Sequence, residues 1–251
     1  MSAVSSDVMT QTEGYNVSDR YQVINTTDVI LEFERFGFEL KDTSIARVAK
    51  EEKQGFQKHL VRLSTPTMLM GEVRTDIIVK NSYDRSSALT IMVGLFRFAC
   101  SNGLVIGTNI MSPFKINHSR NDWQAQLHEF IDAYEEKFKL QRHWMENMQA
   151  TTLDYDTVEE LAYKAIDLRH IDKRIKNDAI DPMELNIARR IEDRGKSAWA
   201  VFNRFQENLM NGSYYKLNEE SEIKKAKILT NTDEIVRVNM ELSDIFTEKV
   251  S

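Results

Sequence analysis

A thiol, two imidazoles and a guanidinium are the groups of this chain best suited to chemistry. The single cysteine, Cys100, closes an apolar run from Ala88 that also carries Arg97, and Asn102-Gly103 follows at once. To act as a nucleophile, Cys100 needs a base within reach of its proton, and the strand-like part of the chain offers only His59 and His118. The competing reading is a small buried hydrophobe, the usual place of a free cysteine. One cysteine excludes an internal disulfide and a multi-cysteine zinc site. His59, His118, His128, His143 and His170 form no two-histidine helical zinc pair. No phosphate-cradling glycine loop, nucleophile elbow or kinase signature occurs. With nine Gly and three Pro there is little material for a loop-built active site. The expectation is a protein without catalysis, metal or cofactor.

Arg97 poses its own question. A guanidinium on a buried strand is costly unless paired. It reads either as a structural arginine bonded to a carboxylate or to carbonyls, or as a contact to phosphate, which suits its planar fork.

A second group of side chains suits polyanions. Lys58, Arg62, Arg74 and Lys80 are spaced to share one sheet face, with Lys115 nearby on a later strand, a groove for a phosphate backbone. Close interleaving of Glu72 and Asp76 would reduce that face to ordinary solvated surface. "NSYDRSS" (81–87) reads either as an ordinary solvated turn, since Asn, Asp and Ser fold back on their own backbone, or as a loop tip exposing Tyr83 and Arg85 together beside Lys80, the composition that stacks a base and holds its phosphate.

These residues need elements to position them. Val73, Thr75, Ile77 and Val79 alternate with Arg74, Asp76 and Lys80, which predicts a strand with one solvated face. "GFQKHLVRLST" reads as a strand ended by Pro66 and "FELKDTSIARVA" as another, while Ala88–Cys100, apolar on both faces, belongs centrally in the sheet. Short connections make the sheet antiparallel, and Asn102-Gly103 is a hairpin turn signal. One early helix is expected after Thr26, Thr27 or Asp28 as cap, stopping at Gly37.

From Asn121 onward the period becomes helical. Trp123, Leu127, Phe130, Ile131, Tyr134 and Phe138 line one long amphipathic helix, and their aromatic rings are core. "DTVEELAYKAIDL" opens with a capping box at Asp156 or Thr157, and "PMELNIARRIEDRG" starts on Pro182 and stops near Gly195. "KSAWAVFNRFQENLMNG" and "TDEIVRVNMELSDIFTEKV" complete five helices. The fold class is therefore α+β: a polar tail over 1–20, an N-terminal mostly antiparallel sheet with one early helix over 21–119, and a C-terminal helical region over 120–251.

At 251 residues and net charge −6 the chain can bury a real core, and no apolar run is long enough to span a membrane. Charge is uneven: residues 28–120 hold 13 Lys/Arg against 10 Asp/Glu, residues 121–194 hold 11 against 17, and residues 195–251 hold 8 against 9. A basic surface on an otherwise acidic protein fits that asymmetry.

Several segments resemble one family: "YQVINTTDVI…FERFGFEL", "KHLVRL", the block from Asn81 to Gly107, and "SAWAVFNRFQENL". It is a phage- and plasmid-borne family of uncharacterised proteins known only as a domain of unknown function. Its central block of Asn, Ser, His or Tyr, Asp, then Arg, Cys and Asn falls on Asn81, Ser82, Tyr83, Asp84, Arg97, Cys100 and Asn102. Arg85 stands where that family commonly has glycine, and Gly103 where a threonine-like residue is common. The resemblance implies mobile-element origin and life in a bacterial cytoplasm, without an established activity.

Together these features point to a non-catalytic phage nucleic-acid-binding protein that prefers single-stranded DNA and serves replication, recombination or transcription. Lys58, Arg62, Arg74, Lys80, Arg85, Arg97 and Lys115 would meet phosphates and Tyr83 a base. The alternative is a protein–protein interaction factor, for host takeover or counter-defence, acting through its helices. A phage or host replication or transcription protein is the expected protein partner; a homo-oligomer and an RNA preference stay open.

Overall fold

The computed structural model describes residues 8–46, 48–70, 73–97, 105–106, 113–118, 122–170, 180–217 and 222–250. The fold is α+β and falls into two units. Residues 1–99 with 111–139 form the first, and residues 100–110 with 140–251 the second. The change from strands to helices, between Ile116 and Trp123, lies inside the first unit.

In the first unit α1 (Thr26–Arg35) is capped by Asn25, one residue before the expected candidates. Its side chain accepts the Thr27 and Asp28 N–H groups, two of the donors a helix start leaves open. Gly37, at φ +84°, turns the chain out of the helix as expected. β1 (Glu39–Ile45), β2 (His59–Met70), β3 (Val73–Asn81) and β4 (Leu89–Arg97) form an antiparallel meander. β5 (Val105–Ile106) belongs to the second unit, and β6 (Phe114–Ile116) pairs antiparallel with β4, which makes β4 an interior strand.

Two sequence expectations change here. Pro66 does not end β2. The register shifts between Ser64 and Leu69, and Pro66 lies within that irregularity, where a missing N–H breaks no ladder bond. The second face of β3 is not solvated, because Asp76 and Ile78 are both buried.

The core lies on the face of Val61, Leu63, Ile77, Val79, Ile91 and Val93. It continues into Phe33 of α1 and Phe130 of α2 (Trp123–Asp132), then Tyr134 at the start of α3 (Tyr134–Ala150). Phe33 meets Phe38 and Phe130 edge-on, and Phe38 meets Tyr134. Such aromatic pairs add about 1 kcal/mol each beyond their burial. The single long helix expected over these residues is thus two, parted at Ala133.

The second unit is built around α5 (Ala198–Asn211), which is buried along nearly its whole length. Trp144 of α3, Trp199, Phe202 and Phe205 of α5, and Phe246 of α6 (Thr232–Val250) make one aromatic cluster, with centroids 5.4–6.2 Å apart. α4 (Tyr155–His170) starts ahead of its expected capping box, because the Asp154 carboxylate takes the Thr157 N–H at 2.9 Å.

The segment 182–195 is not a helix but two 3-10 turns, Pro182–Asn186 and Ile191–Asp193. The reason is tertiary. Asn208 Nδ2 donates to the Leu185 and Ile187 carbonyls, and Arg204 Nη1 to those of Asp193 and Gly195. The Leu185 and Ile187 carbonyls are thereby bonded to α5 rather than to a helix of their own, and Arg204 takes two carbonyls at the segment's end. A hairpin of β7 (Tyr215–Leu217) and β8 (Ile223–Lys225), too short to show a period in sequence, follows α5. Among the described residues no helix is long and apolar enough to cross a membrane.

Candidate nucleic-acid interface

Register decides which cations stand together. Leu60 pairs with Lys80, Lys80 with Thr90, and Thr90 with Lys115, so the two lysines lie in one row across three strands. With neighbouring strands about 4.8 Å apart, their Cα atoms are about 10 Å apart. Arg62, Arg74 and, extending the parity of β2, Lys58 belong to the same face. Its middle is closed: Ile78 and Met92, which pair in the next row, are 1% and 3% exposed.

The two arginines are already engaged. Arg74 Nε donates to Asp76 Oδ1 at 2.6 Å, and Arg62 Nη1 to Asp76 Oδ2 at 3.3 Å, with Asp42 3.9 Å from Arg62. Asp76 is itself 1% exposed, so a buried carboxylate sits between two partly buried guanidinia. Each charge makes the burial of the others tolerable. Interleaving of Asp76 thus occurs at this pair. The cations of this face that reach solvent are Lys115, which is exposed, and the half-buried Lys58 and Lys80. Arg85 is exposed on the 82–87 turn close to Lys80 in sequence.

Tyr83 is the main correction. The sequence puts it beside Arg85 at a loop tip; in the fold it is fully buried. Its hydroxyl donates to Thr26 Oγ1 at 2.8 Å and accepts the Thr26 N–H at 2.9 Å. Burial raises the pKa of the phenol. A ring held in this way cannot stack on a base.

The neighbours of Tyr83 make one closed network. Asn81 Nδ2 donates to the Ile24 carbonyl (2.9 Å) and Thr26 Oγ1 (3.0 Å), while Asn81 Oδ1 accepts the Ser82 N–H. His59 Nδ1 lies 3.0 Å from the Gln57 carbonyl, which can only accept, so Nδ1 carries the proton. Nε2 is then bare and accepts the Thr26 hydroxyl at 2.7 Å. Burial holds His59 below its ordinary pKa, in keeping with that neutral ring.

His118 stacks on Tyr21 and has Nδ1 3.0 Å from the Gln22 carbonyl and Nε2 3.1 Å from Asn81 Oδ1. The Tyr21 hydroxyl donates to the Ser82 carbonyl, and Tyr15 N–H to that of Tyr83. This network clasps the segment before α1 to the end of the sheet. Both rings suggested as bases for Cys100 have their nitrogens engaged within it. Cys100, Asn102 and Gly103 lie outside the described residues, as does the side chain of Arg97, whose backbone ends β4 opposite Val73.

Sequence reasoning singles out Asn81, Ser82 and Tyr83 as one block but misses their partner Thr26, where it finds only the start of a helix. A polar run before a helix fits a simple cap equally well, so no local signal separates the two roles. It also misses the cations of the β7–β8 hairpin, because Lys216, Lys224, Lys225 and Lys227 are interleaved in sequence with Glu219, Glu220 and Glu222 and the segment reads as near neutral.

Fold and site define an α+β protein with a basic rim on an antiparallel sheet and a polar clasp at that sheet's end. Residues 15–230 match the family described as "Domain of unknown function (DUF932)", and the chain belongs to that family. It is similar to the UPF0380 protein YfjQ of Escherichia coli (strain K12), 26% identical over 227 residues, covering 90% of this chain and 81% of that one. It is equally similar to the UPF0380 protein YafZ of the same strain, 26% identical over 232 residues with the same coverage. No solved structure matches the chain.

Proposed function

We propose that the protein is a non-catalytic nucleic-acid-binding protein that prefers single-stranded DNA and acts in the replication, recombination or transcription of a phage in the bacterial cytoplasm. The observation that carries this reading is the row Lys80–Thr90–Lys115, with Lys58 on the same face and Arg85 on the adjoining turn. These cations extend across several strands at one end of the sheet, a distribution suited to a linear polyanion rather than to a single small anion.

Arg62 and Arg74, on the same face, neutralise Asp76. The chain's overall negative charge weakens attachment to arbitrary polyanions, so binding depends on local positive surface.

Fluorescence anisotropy with labelled single-stranded and duplex oligonucleotides at three salt concentrations tests the reading. Micromolar or tighter binding that favours the single strand and weakens with salt is expected. Absence of binding at low salt overturns it.

A further inference from the structure

The β7–β8 hairpin of the second unit carries the feature the sheet rim lacks, an exposed aromatic ring close to several lysines. The segment also holds Glu219, Glu220 and Glu222, and the Tyr215 N–H donates to the Glu184 carboxylate. Its base is firmly held. Tyr214 is buried, with its hydroxyl 2.6 Å from His170 Nε2 and the Arg169 guanidinium 5.6 Å from its ring centroid. Arg169 also donates to the Leu209 and Lys227 carbonyls, and the Ala226 N–H to the Tyr214 carbonyl. Gly212, at φ +59°, ends α5 beneath the hairpin, where a Cβ would collide with the Ala226 carbonyl oxygen. The hairpin therefore leaves the helical body as a preorganised ribbon.

Beyond this base Tyr215, Ile223, Lys224 and Lys225 turn to solvent. Tyr215 is 53% exposed and pairs with Lys225, while Ile223, 74% exposed, follows on the same face. The opposite face carries Lys216 directly across from Lys224, and Lys227 follows the ribbon. Like charges directly opposed across two strands destabilise the pair, and a two-stranded ribbon has little stability to spare. Glu222, 2.9 Å from Lys224, offsets part of that repulsion. A polyanion would offset it more fully.

We infer that this ribbon is a second nucleic-acid-contacting element, with Tyr215 stacking a base of a single strand and Lys216, Lys224, Lys225 and Lys227 meeting its phosphates. The inference rests on the proposed nucleic-acid function and assigns the aromatic contact that Tyr83, being buried, cannot make. An exposed tyrosine flanked by lysines serves strands whose bases are unpaired, because only these offer a free π-face.

Three variants of the full chain, each checked for an unchanged melting temperature, test it with a labelled oligothymidine. Tyr215→Ala should weaken binding roughly tenfold or more while leaving the salt dependence as it was, since stacking releases no counterions. Lys224→Ala with Lys225→Ala should lower the slope of log affinity against log salt by roughly 0.7 per phosphate no longer neutralised. Lys58→Ala with Lys115→Ala, on the sheet rim, serves as the comparison. Wild-type affinity and slope in both ribbon variants, with binding abolished in the rim variant, overturns the ribbon and leaves the function standing. No binding by the wild type overturns both. Tighter binding to duplex, with Tyr215→Ala silent, overturns the single-strand stacking role.

Discussion

The Tyr83 phenolic oxygen sits 2.8 Å from Thr26 Oγ1, across 57 residues of chain, and the same oxygen receives the Thr26 backbone N–H. This pair fastens the first turn of α1 to the turn after β3. It converts what reads as an exposed recognition loop into a structural clasp. Tyr83→Phe should therefore destabilise the fold by about 1–3 kcal/mol, since a buried N–H loses its acceptor. Nucleic-acid affinity, measured where the variant is folded, should stay as in wild type. Urea unfolding and anisotropy together check this, and a loss of affinity with unchanged stability would return Tyr83 to the binding surface.

Asp76 makes the opposite case, a charge whose removal strands its partners. Asp76→Ala leaves Arg62 and Arg74 partly buried without their shared carboxylate, and should cost about 3 kcal/mol. A cost below about 1 kcal/mol in denaturant titration would mean that the two guanidinia turn readily to solvent. Phosphate could then reach them after all.

Acid should weaken the clasp through His59. Burial lowers its pKa in the folded protein, whereas the unfolded chain takes up the proton near pH 6.5. Between the two values the unfolded state binds more protons, so this contribution is full above about pH 6.5 and is lost as pH falls through the lowered value. Urea midpoints at about pH 8 and pH 5 should show the decline, and His59→Gln should make it shallower. An equal decline in the variant would assign it elsewhere.

Arg85 occupies φ +63°, the left-handed region that glycine enters at little cost. Arg85→Gly relieves about 1–2 kcal/mol of backbone strain and returns about half of that as unfolded-chain entropy. The expected result is a modestly higher melting temperature with a shallower salt dependence of DNA binding. A lower melting temperature would show that the arginine side chain holds the turn.

Lys58→Ala, Lys80→Ala and Lys115→Ala in one chain should reduce the salt slope on single strands by roughly 0.7 for each phosphate left without its lysine. The stability of the triple variant should change little at Lys115, which is exposed. An unchanged slope in the folded variant removes the rim from the binding surface.

Local pattern alone determined the α+β class, the antiparallel strands, the buried aromatic faces of the helices and the parity that puts Lys58, Arg62, Arg74, Lys80 and Lys115 on one side of a sheet. Alternation and helical period are properties of neighbouring residues, so they survive without the fold. What lay beyond reach were partnerships across long separations. Asn208 takes the Leu185 and Ile187 carbonyls that a helix over 182–195 would use, Asp76 gathers two arginines inward, and Thr26 draws Tyr83 out of solvent. Each depends on where a distant group arrives, and only the tertiary structure decides that. A buried donor must find an acceptor, but nothing in the local sequence says which one.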